Sequence, residues 1–416
     1  MIRNCLPWLA GISILSVTIW GAAIPAAAQK ASAGAVAPRP ETEAARLLRS
    51  AESSARSGNW AAAIRQLERA ATLAPNDPVP HRRLASVYRK ARYPDREIVA
   101  LEQALQRAPD DADSALRLGE IYISLVWFEK GREKVVQAER AGTTDPRLFV
   151  LLATQAYMRF QYPQMERAAV EGLRRFPGHV AIMTLLSEAY RLQGRLPEAE
   201  TLLLRVRDTT ADSQAKAACR TGLARLLLSE GWKPPRFADA EKEARAALRI
   251  SPKETDAHYW LGRALQLQGK NDAAIEQYEI VYRRDPEFER TAYYLGGLYL
   301  RSRDKAKRAL GERRMAAYRR LIARNERYRD ARDAVWQHPE RPEAHRRMGQ
   351  EYLNVGQLPE AIVELREALR RRPEDSEARR LLVLALNKSG RKTEAMALDA
   401  RPKARSQASA SPMRKE

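Results

Sequence analysis

The chain has 416 residues, which at about 150 residues per domain would allow two or three globular units unless an internal repeat organises it differently. Lys and Arg number 73 against 52 Asp and Glu, which gives a net charge of +21, and 44% of the residues are hydrophobic. This hydrophobic content excludes a wholly disordered chain, and two cysteines exclude a disulfide-stapled scaffold and a thiolate metal cluster.

The N-terminal segment, residues 1–28, is predicted to be a secretory signal peptide. Arg3 precedes an apolar run over residues 8–24, and the run is followed by Pro25 and small residues. A basic start, an apolar core and a small-residue end are the three parts of such a signal, so we expect cleavage after Ala28. The alternative is an uncleaved membrane anchor, because about 17 apolar residues lie near the lower limit for a membrane span.

A regular repeat organises the chain from residue 44 onward, after a predicted flexible lead over residues 29–43. Prolines mark the repeat at intervals of one or two periods, with two insertions: Pro75, Pro109, Pro177, Pro252, Pro286 and Pro373. Each period holds two apolar patterns at spacings of three and four, which predict a pair of helices. Glycines between the two helices suit the left-handed residue that ends a helix: Gly58, Gly194, Gly231, Gly269, Gly356 and Gly390.

These residues resemble the tetratricopeptide repeat, a helix-turn-helix whose length matches the period marked by the prolines. The repeat over 255–288 carries the pattern in full: Leu261, Gly262, Gly269, Ala274, Tyr278 and Pro286. Histidines stand where the pattern has Trp: His81, His258 and His345. The resemblance implies an all-α, right-handed solenoid of about ten repeats over residues 44–399, in which each repeat packs against its neighbours. The repeats are predicted to begin at residues 44, 78, 112, 146, 180, 217, 255, 289, 342 and 376.

The larger insertion, about residues 304–337, is predicted to be a long basic helix. Its apolar seam is compatible either with a packed helix that has a solvated basic face or with a projecting docking arm. The helix must project or break, and we expect a break at Asn325. Residues 400–416 have no periodicity and are predicted to be a disordered basic tail.

No motif for catalysis, nucleotide binding or metal binding is present in the sequence. H-E-x-x-H, the phosphate-binding G-x-x-x-x-G-K and the nucleophile elbow G-x-S-x-G are all missing. The repeat histidines share one offset, which favours packing in the first helix over a ligand or base role. We therefore predict no enzymatic activity, no cofactor and no metal site.

The first helices of stacked repeats are expected to line a concave surface that binds peptides or protein segments, as the resemblance implies. Counting along each first helix away from the packed stripe places nine basic or aromatic residues there: Arg82, Arg89, Tyr157, Arg191, Arg225, Tyr259, Arg263, Tyr293 and Arg346. Arg suits carboxylates, and Tyr adds rigid apolar area with a polar tip. The alternative is that several of these arginines pair with Glu120, Glu188 or Asp256 on adjacent repeats.

The sequence thus predicts a noncatalytic scaffold of the bacterial cell envelope, exported and periplasmic or extracytoplasmic, whose groove binds an acidic or extended protein segment. Residues 301–333 carry thirteen basic and five acidic residues, which supports a second hypothesis of binding to a nucleic acid or anionic polysaccharide. The export signal makes nucleic acid the less favoured partner. The remaining alternative is a membrane-anchored scaffold, and the sequence leaves the partner and the oligomeric state open.

Overall fold

The computed structural model describes residues 42–399, which form twenty helices and no strand. The first ten are α1 Glu43–Arg56, α2 Trp60–Leu73, α3 Pro78–Lys90, α4 Pro94–Arg107, α5 Ala112–Ser124, α6 Phe128–Arg140, α7 Arg147–Met158, α8 Tyr162–Arg175, α9 Val180–Leu192 and α10 Leu196–Thr209. The others are α11 Ser213–Leu227, α12 Phe237–Ile250, α13 Thr255–Leu267, α14 Asn271–Arg284, α15 Glu289–Leu300, α16 Lys305–Gln337, α17 Pro342–Asn354, α18 Leu358–Arg371, α19 Ser376–Lys388 and α20 Lys392–Asp399.

Consecutive helices pack as pairs, as an all-α repeat solenoid requires. Seven of the ten predicted repeat starts coincide with the first residue of a helix, and those at 44, 146 and 217 lie one, one and four residues from a helix start. The predicted signal peptide, the tail over 400–416 and all but the last two residues of the lead lie outside the described residues.

Small residues let the two helices of a pair approach closely. On α14, Ala274, Tyr278 and Val281 are fully buried at spacings of four and three. A Cβ atom added to Gly262 would lie 2.7 Å from Cε1 of Tyr278, so this α13 position has no room for any side chain. The apolar pattern and the glycine therefore specify the same helix contact.

The turn inside most helix pairs contains one residue with positive φ, the left-handed conformation that favours glycine. Each of the six predicted glycines has positive φ. Three other residues have the same conformation at the same repeat offset, Arg92 (φ 60°), Val126 (φ 67°) and Phe160 (φ 58°). The fold therefore imposes the left-handed turn even where the residue does not favour it.

The described part of the chain divides into two compact units. Unit 1 contains residues 144–326, and unit 2 contains residues 42–143 together with 327–399 within the described part of the chain. The helix α16 contributes residues 305–326 to unit 1 and residues 327–337 to unit 2.

The predicted break at Asn325 is wrong, because α16 runs unbroken through this position. Asn325 is 1% exposed, and its side-chain amide donates a hydrogen bond to the carboxylate of Glu289 on α15. Leu310 packs against the apolar core of unit 1, and Tyr328 is buried in unit 2. The structure therefore favours the packed helix over the projecting arm.

Unit 2 also contains contacts between repeats that are far apart in sequence. The α4 helix packs against α18, although most of the described chain separates the two helices in sequence. The Trp127 indole Nε1 donates to Oε1 of Glu364 at 2.9 Å, and Phe128 makes an edge contact with Trp336 at 5.8 Å between ring centroids. We call this set of contacts the terminal clasp, since it joins early and late repeats of the chain.

The terminal clasp includes a buried ion-pair network. Arg391 donates two hydrogen bonds to the carboxylate of Asp95, at 2.9 and 2.8 Å, and the two side chains are 5% and 3% exposed. Arg366 also contacts Asp95, at 3.0 Å, and Arg96 contacts Glu394 at 2.7 Å. A bidentate arginine–carboxylate pair at this depth fixes the geometry of the contact as well as its charge balance.

Candidate functional site

Unit 1 contains an open pocket of about 390 Å³, which we call the aromatic pocket. Helix α13 contributes Arg263 and two aromatic rings, α15 contributes two more rings and α16 a fifth. The complete lining is Leu228, Tyr259, Trp260, Arg263, Leu267, Glu289, Arg290, Tyr293, Tyr294 and Tyr318. Three of the nine predicted groove residues, Tyr259, Arg263 and Tyr293, therefore lie together in this pocket.

Neighbouring rings hold one another in position around the pocket. Tyr293 lies 5.2 Å from Tyr294 and 5.1 Å from Tyr318 between ring centroids, and Tyr259 lies 4.8 Å from Trp260. Tyr293 is 46% exposed and Tyr259 only 2%, so Tyr293 offers its ring to a partner while Tyr259 belongs to the core. The long helix α16 is part of the site because Tyr318 forms one wall.

Two arginines give the aromatic pocket its positive charge. The guanidinium Cζ of Arg263 lies 4.0 Å from the ring centroid of Tyr294, and its Nη1 donates to Gln266 at 2.8 Å. Stacking of this kind orders a guanidinium without neutralising it. Burial raises the pKa of Tyr259, so its hydroxyl stays protonated at neutral pH despite the nearby Arg290. The acidic lining residue, Glu289, already accepts a hydrogen bond from Asn325.

Three other predicted groove residues surround Glu188, a buried carboxylate of α9. Arg191 donates to both of its oxygens at 2.8 Å, and Arg225 of α11 pairs with it as well. Burial raises the pKa of Tyr157, next to the same cluster. Burial, with Glu254, raises the pKa of Asp256 to about 7, and Glu188 is the carboxylate that pairs with Arg225.

The last three predicted groove residues lie in unit 2. Arg82 pairs with Asp111 at 3.4 Å and Arg346 with Asp375 at 3.3 Å. In both cases the arginine reaches the aspartate that caps the first helix of the next repeat, a contact that joins adjacent repeats. Arg89 is exposed and makes no ion pair with any residue that the structure describes.

Sequence reasoning missed four important pocket residues, Trp260, Arg290, Tyr294 and Tyr318. Trp260 and Tyr294 are separated by one repeat length, as are Tyr259 and Tyr293, so the repeat itself stacks equivalent rings in successive first helices. This repeated spacing could have revealed Trp260 and Tyr294 from the sequence. Tyr318 lies in the insertion, where no repeat offset applies.

The described residues contain no group of three or more His, Cys, Asp or Glu side chains arranged to hold a metal ion. Over the same residues, 42–399, no helix is both long enough and apolar enough to cross a membrane.

A sequence profile described as the tetratricopeptide repeat matches residues 161–215, 235–287, 268–314 and 346–409. No curated protein matches the sequence. Among solved structures, a tetratricopeptide repeat protein from Parabacteroides merdae is 13% identical over 62% of this chain and 98% of its own, with a TM-score of 0.51.

Two further structures are less similar. PilF from Pseudomonas aeruginosa is 14% identical over 51% of this chain and 96% of its own, with a TM-score of 0.43. A chain of the APC/C hetero-tetramer Cut9–Hcn1 is 14% identical over 82% of this chain, with a TM-score of 0.44, and this chain spans only 55% of its length. Similarity at these identities concerns the fold alone. The matched segments are tetratricopeptide repeats, in agreement with the all-α repeat fold, and repeats of this family generally serve as noncatalytic scaffolds for protein–protein interaction.

Proposed function

We propose that this protein is a noncatalytic scaffold that captures an acidic, extended segment of a partner protein in the aromatic pocket of unit 1. The observation that supports it is the convergence of five aromatic rings and two arginines on one open concavity. Rigid aromatic rings and arginine are the residue types that dominate binding energy at protein interfaces.

The charge of the pocket favours an acidic partner. Arg263 and Arg290 face it, and the carboxylate of Glu289 is engaged by Asn325. The net charge of +21 adds a long-range attraction that accelerates encounter with an acidic chain and weakens with salt. An extended segment fits an open concavity of this volume because one side chain can enter the ring cluster while flanking carboxylates reach the arginines.

Replacing Tyr293 with Ala is expected to weaken binding of a labelled peptide that contains Tyr and several Asp and Glu residues by at least about tenfold, since Tyr293 is the exposed ring of the pocket. The charge reversal Arg263→Glu should do the same, whereas Arg89→Glu, the matched reversal in unit 2, should leave affinity unchanged. Fluorescence anisotropy measures all three, and circular dichroism checks the helix content. Equal binding by Tyr293→Ala and the unchanged protein would refute the pocket assignment.

A second function, binding of an anionic polymer, is favoured by exposed basic side chains that lie just before α16 and in its N-terminal half. Eight of them make no ion pair within the described part of the chain: Arg301, Arg303, Lys305, Lys307, Arg308, Arg313, Arg319 and Arg320. If Arg319→Glu with Arg320→Glu abolishes peptide binding while Tyr293→Ala does not, this second function replaces the first. The affinity of such binding should fall steeply with salt and should not depend on the aromatic residue of the peptide.

We further propose that the protein is exported to the bacterial envelope, on the basis of residues 1–28. Mass spectrometry of protein purified from the envelope fraction is expected to show a chain that begins at Gln29. A mass that retains residues 1–28 would support the anchored scaffold instead, and recovery of all the protein from the cytoplasm would contradict export.

A further inference from the structure

The repeat histidines reveal a recurring local contact. Nδ1 of His258 lies 2.8 Å from Oε1 of Gln277, nineteen residues later, and its Nε2 lies 3.2 Å from the carbonyl oxygen of the proline six residues earlier. His345 repeats this arrangement, at 2.6 Å from Oε2 of Glu364 and 2.8 Å from the corresponding proline carbonyl. In both repeats a Gln or Glu side chain fills the space beside the ring and satisfies it.

His81 occupies the same offset in the second repeat but has neither partner. The residue nineteen positions later is Ala100, and the carbonyl oxygen of Pro75 accepts a hydrogen bond from Nε of Arg107 at 2.5 Å instead. The histidine is 5% exposed, and both of its ring nitrogens are buried without a hydrogen bond of normal geometry to any described residue, although the side chain of Gln103 interacts with the ring. Buried polar groups in native proteins usually have a partner, so this ring requires an explanation.

A cavity of about 500 Å³ lies beside His81, and Ala100 is part of its wall. Apolar groups line it together with polar groups, several of which belong to the terminal clasp: Ala71, Leu84, Val99 and Ala100, with Glu68, Tyr88, Asp95, Arg96, Gln103, Arg366 and Glu394. The cavity is far larger than the roughly 30 Å³ of one water molecule, so it has room for a side chain. The cavity is open on the side of Val99, which is 50% exposed.

We propose that the cavity binds a Gln or Glu side chain of an extended partner segment, which places its terminal oxygen on His81 as Gln277 and Glu364 do in the other repeats. The aliphatic stem would pack against Leu84 and Val99. Burial, with the charge of Arg107, lowers the pKa of His81, so the ring is neutral at pH 7 and has one N–H to donate. This site belongs to unit 2 and does not depend on the aromatic pocket.

The first test restores the missing side chain within the protein. Ala100→Gln is expected to raise Tm by about 2–4 °C, because the new amide satisfies His81 and its stem occupies part of the cavity. Ala61→Gln, an exposed substitution on α2, is the matched control and should leave Tm unchanged. A lower Tm for Ala100→Gln would overturn the proposal, because it would show that the cavity cannot accept the side chain that its sister repeats contain.

The second test adds the side chain from outside. Acetylated and amidated Ala-Gln-Ala and Ala-Glu-Ala peptides are titrated against the full chain labelled with ¹⁵N at histidine, with His81 assigned through His81→Phe. We expect a shift of the His81 signals with one or both peptides, none with Ala-Leu-Ala, and none at His258 or His345. The larger response tells whether an amide or a carboxylate is the preferred ligand.

Three results would overturn the proposal of a partner segment. The first is a His81 signal that no peptide moves at millimolar concentration, and the second is a response that persists in Ala100→Gln. The third is a difference in the His81 signal between the peptide-free full chain and a chain that ends at Asp399, because the occupant would then be the tail of this protein.

Discussion

Replacing Asp95 with Ala is expected to lower the free energy of unfolding of unit 2 by about 3 kcal/mol. The change removes a carboxylate that is 3% exposed and leaves Arg391, itself 5% exposed, without its bidentate partner. Breaking a buried pair costs about 3–5 kcal/mol, and we expect the lower limit because Glu394 still contacts Arg391 at 2.8 Å.

Hydrogen exchange with mass spectrometry would locate this loss. Peptides from residues 94–140 and 358–399 should lose protection in Asp95→Ala, whereas peptides from unit 1 should not. Glu377→Ala, which breaks an exposed pair with Arg380 on α19, is the control and should change little. Unchanged protection in both segments would show that the terminal clasp does not hold unit 2 together in solution.

Replacing Glu188 with Ala is expected to cost unit 1 about 3–5 kcal/mol of unfolding free energy. Glu188 is 4% exposed and compensates Arg191 and Arg225, whose side chains are 24% and 15% exposed. Its removal leaves two partly buried guanidinium groups facing each other without a full counter-charge. Urea unfolding followed by circular dichroism measures the loss.

The dependence of the unfolding free energy on pH, in the acidic range, provides a second measurement of the contribution of Glu188. Burial alone would raise the pKa of Glu188, but Arg225 and Arg191 more than offset it, so the pKa lies below its ordinary value. A carboxyl with a lowered folded-state pKa stabilises the protein above its unfolded pKa of about 4.3 and loses this contribution as the pH falls through the folded value. Glu188→Ala should therefore lack that part of the acid dependence.

Glu171→Ala is the matched control, because Glu171 pairs with Arg174 and Arg175 on the exposed surface of α8. This variant should unfold at nearly the same urea concentration as the unchanged protein. A Glu188→Ala protein that behaved like the control would mean that solvent screens the Glu188 cluster, and the burial described above would be wrong.

The helices could be predicted from the sequence because the same apolar spacing and the same helix-end residues recur in each repeat. Apolar residues at spacings of three and four predict a buried stripe, and a glycine such as Gly262 marks the closest approach of two helices. The same reasoning missed the left-handed turns at Arg92, Val126 and Phe160. A residue-type rule cannot detect a conformation that packing on both sides imposes on an unfavourable residue.

The break predicted at Asn325 failed for a related reason. Asn disfavours a helix interior when its amide competes for the backbone, but here the amide binds Glu289 on a neighbouring helix. The terminal clasp escaped prediction because repeat periodicity describes contacts between neighbours. The pairing of Asp95 with Arg391 joins residues from opposite ends of the described chain and leaves no periodic signal.

The repeat pattern predicts which helices carry the groove residues, but it does not predict what their side chains contact. Their offset places them on the first helices, but their partners decide their role. Arg82 and Arg346 join successive repeats, Arg191 and Arg225 compensate Glu188, and Tyr259 lies in the core. Tyr293 and Arg263 remain available in the aromatic pocket because the neighbouring rings leave an open concavity.

The division of unit 2 between the two ends of the chain has a consequence for biosynthesis. A ribosome releases the segment 42–143 first and the segment 327–399 last, with all of unit 1 made in between. The early repeats therefore cannot complete their native contacts until Glu364 and Arg391 have been synthesised. During translation we expect residues 42–143, rather than unit 1, to be the part of the nascent protein that depends most on chaperones.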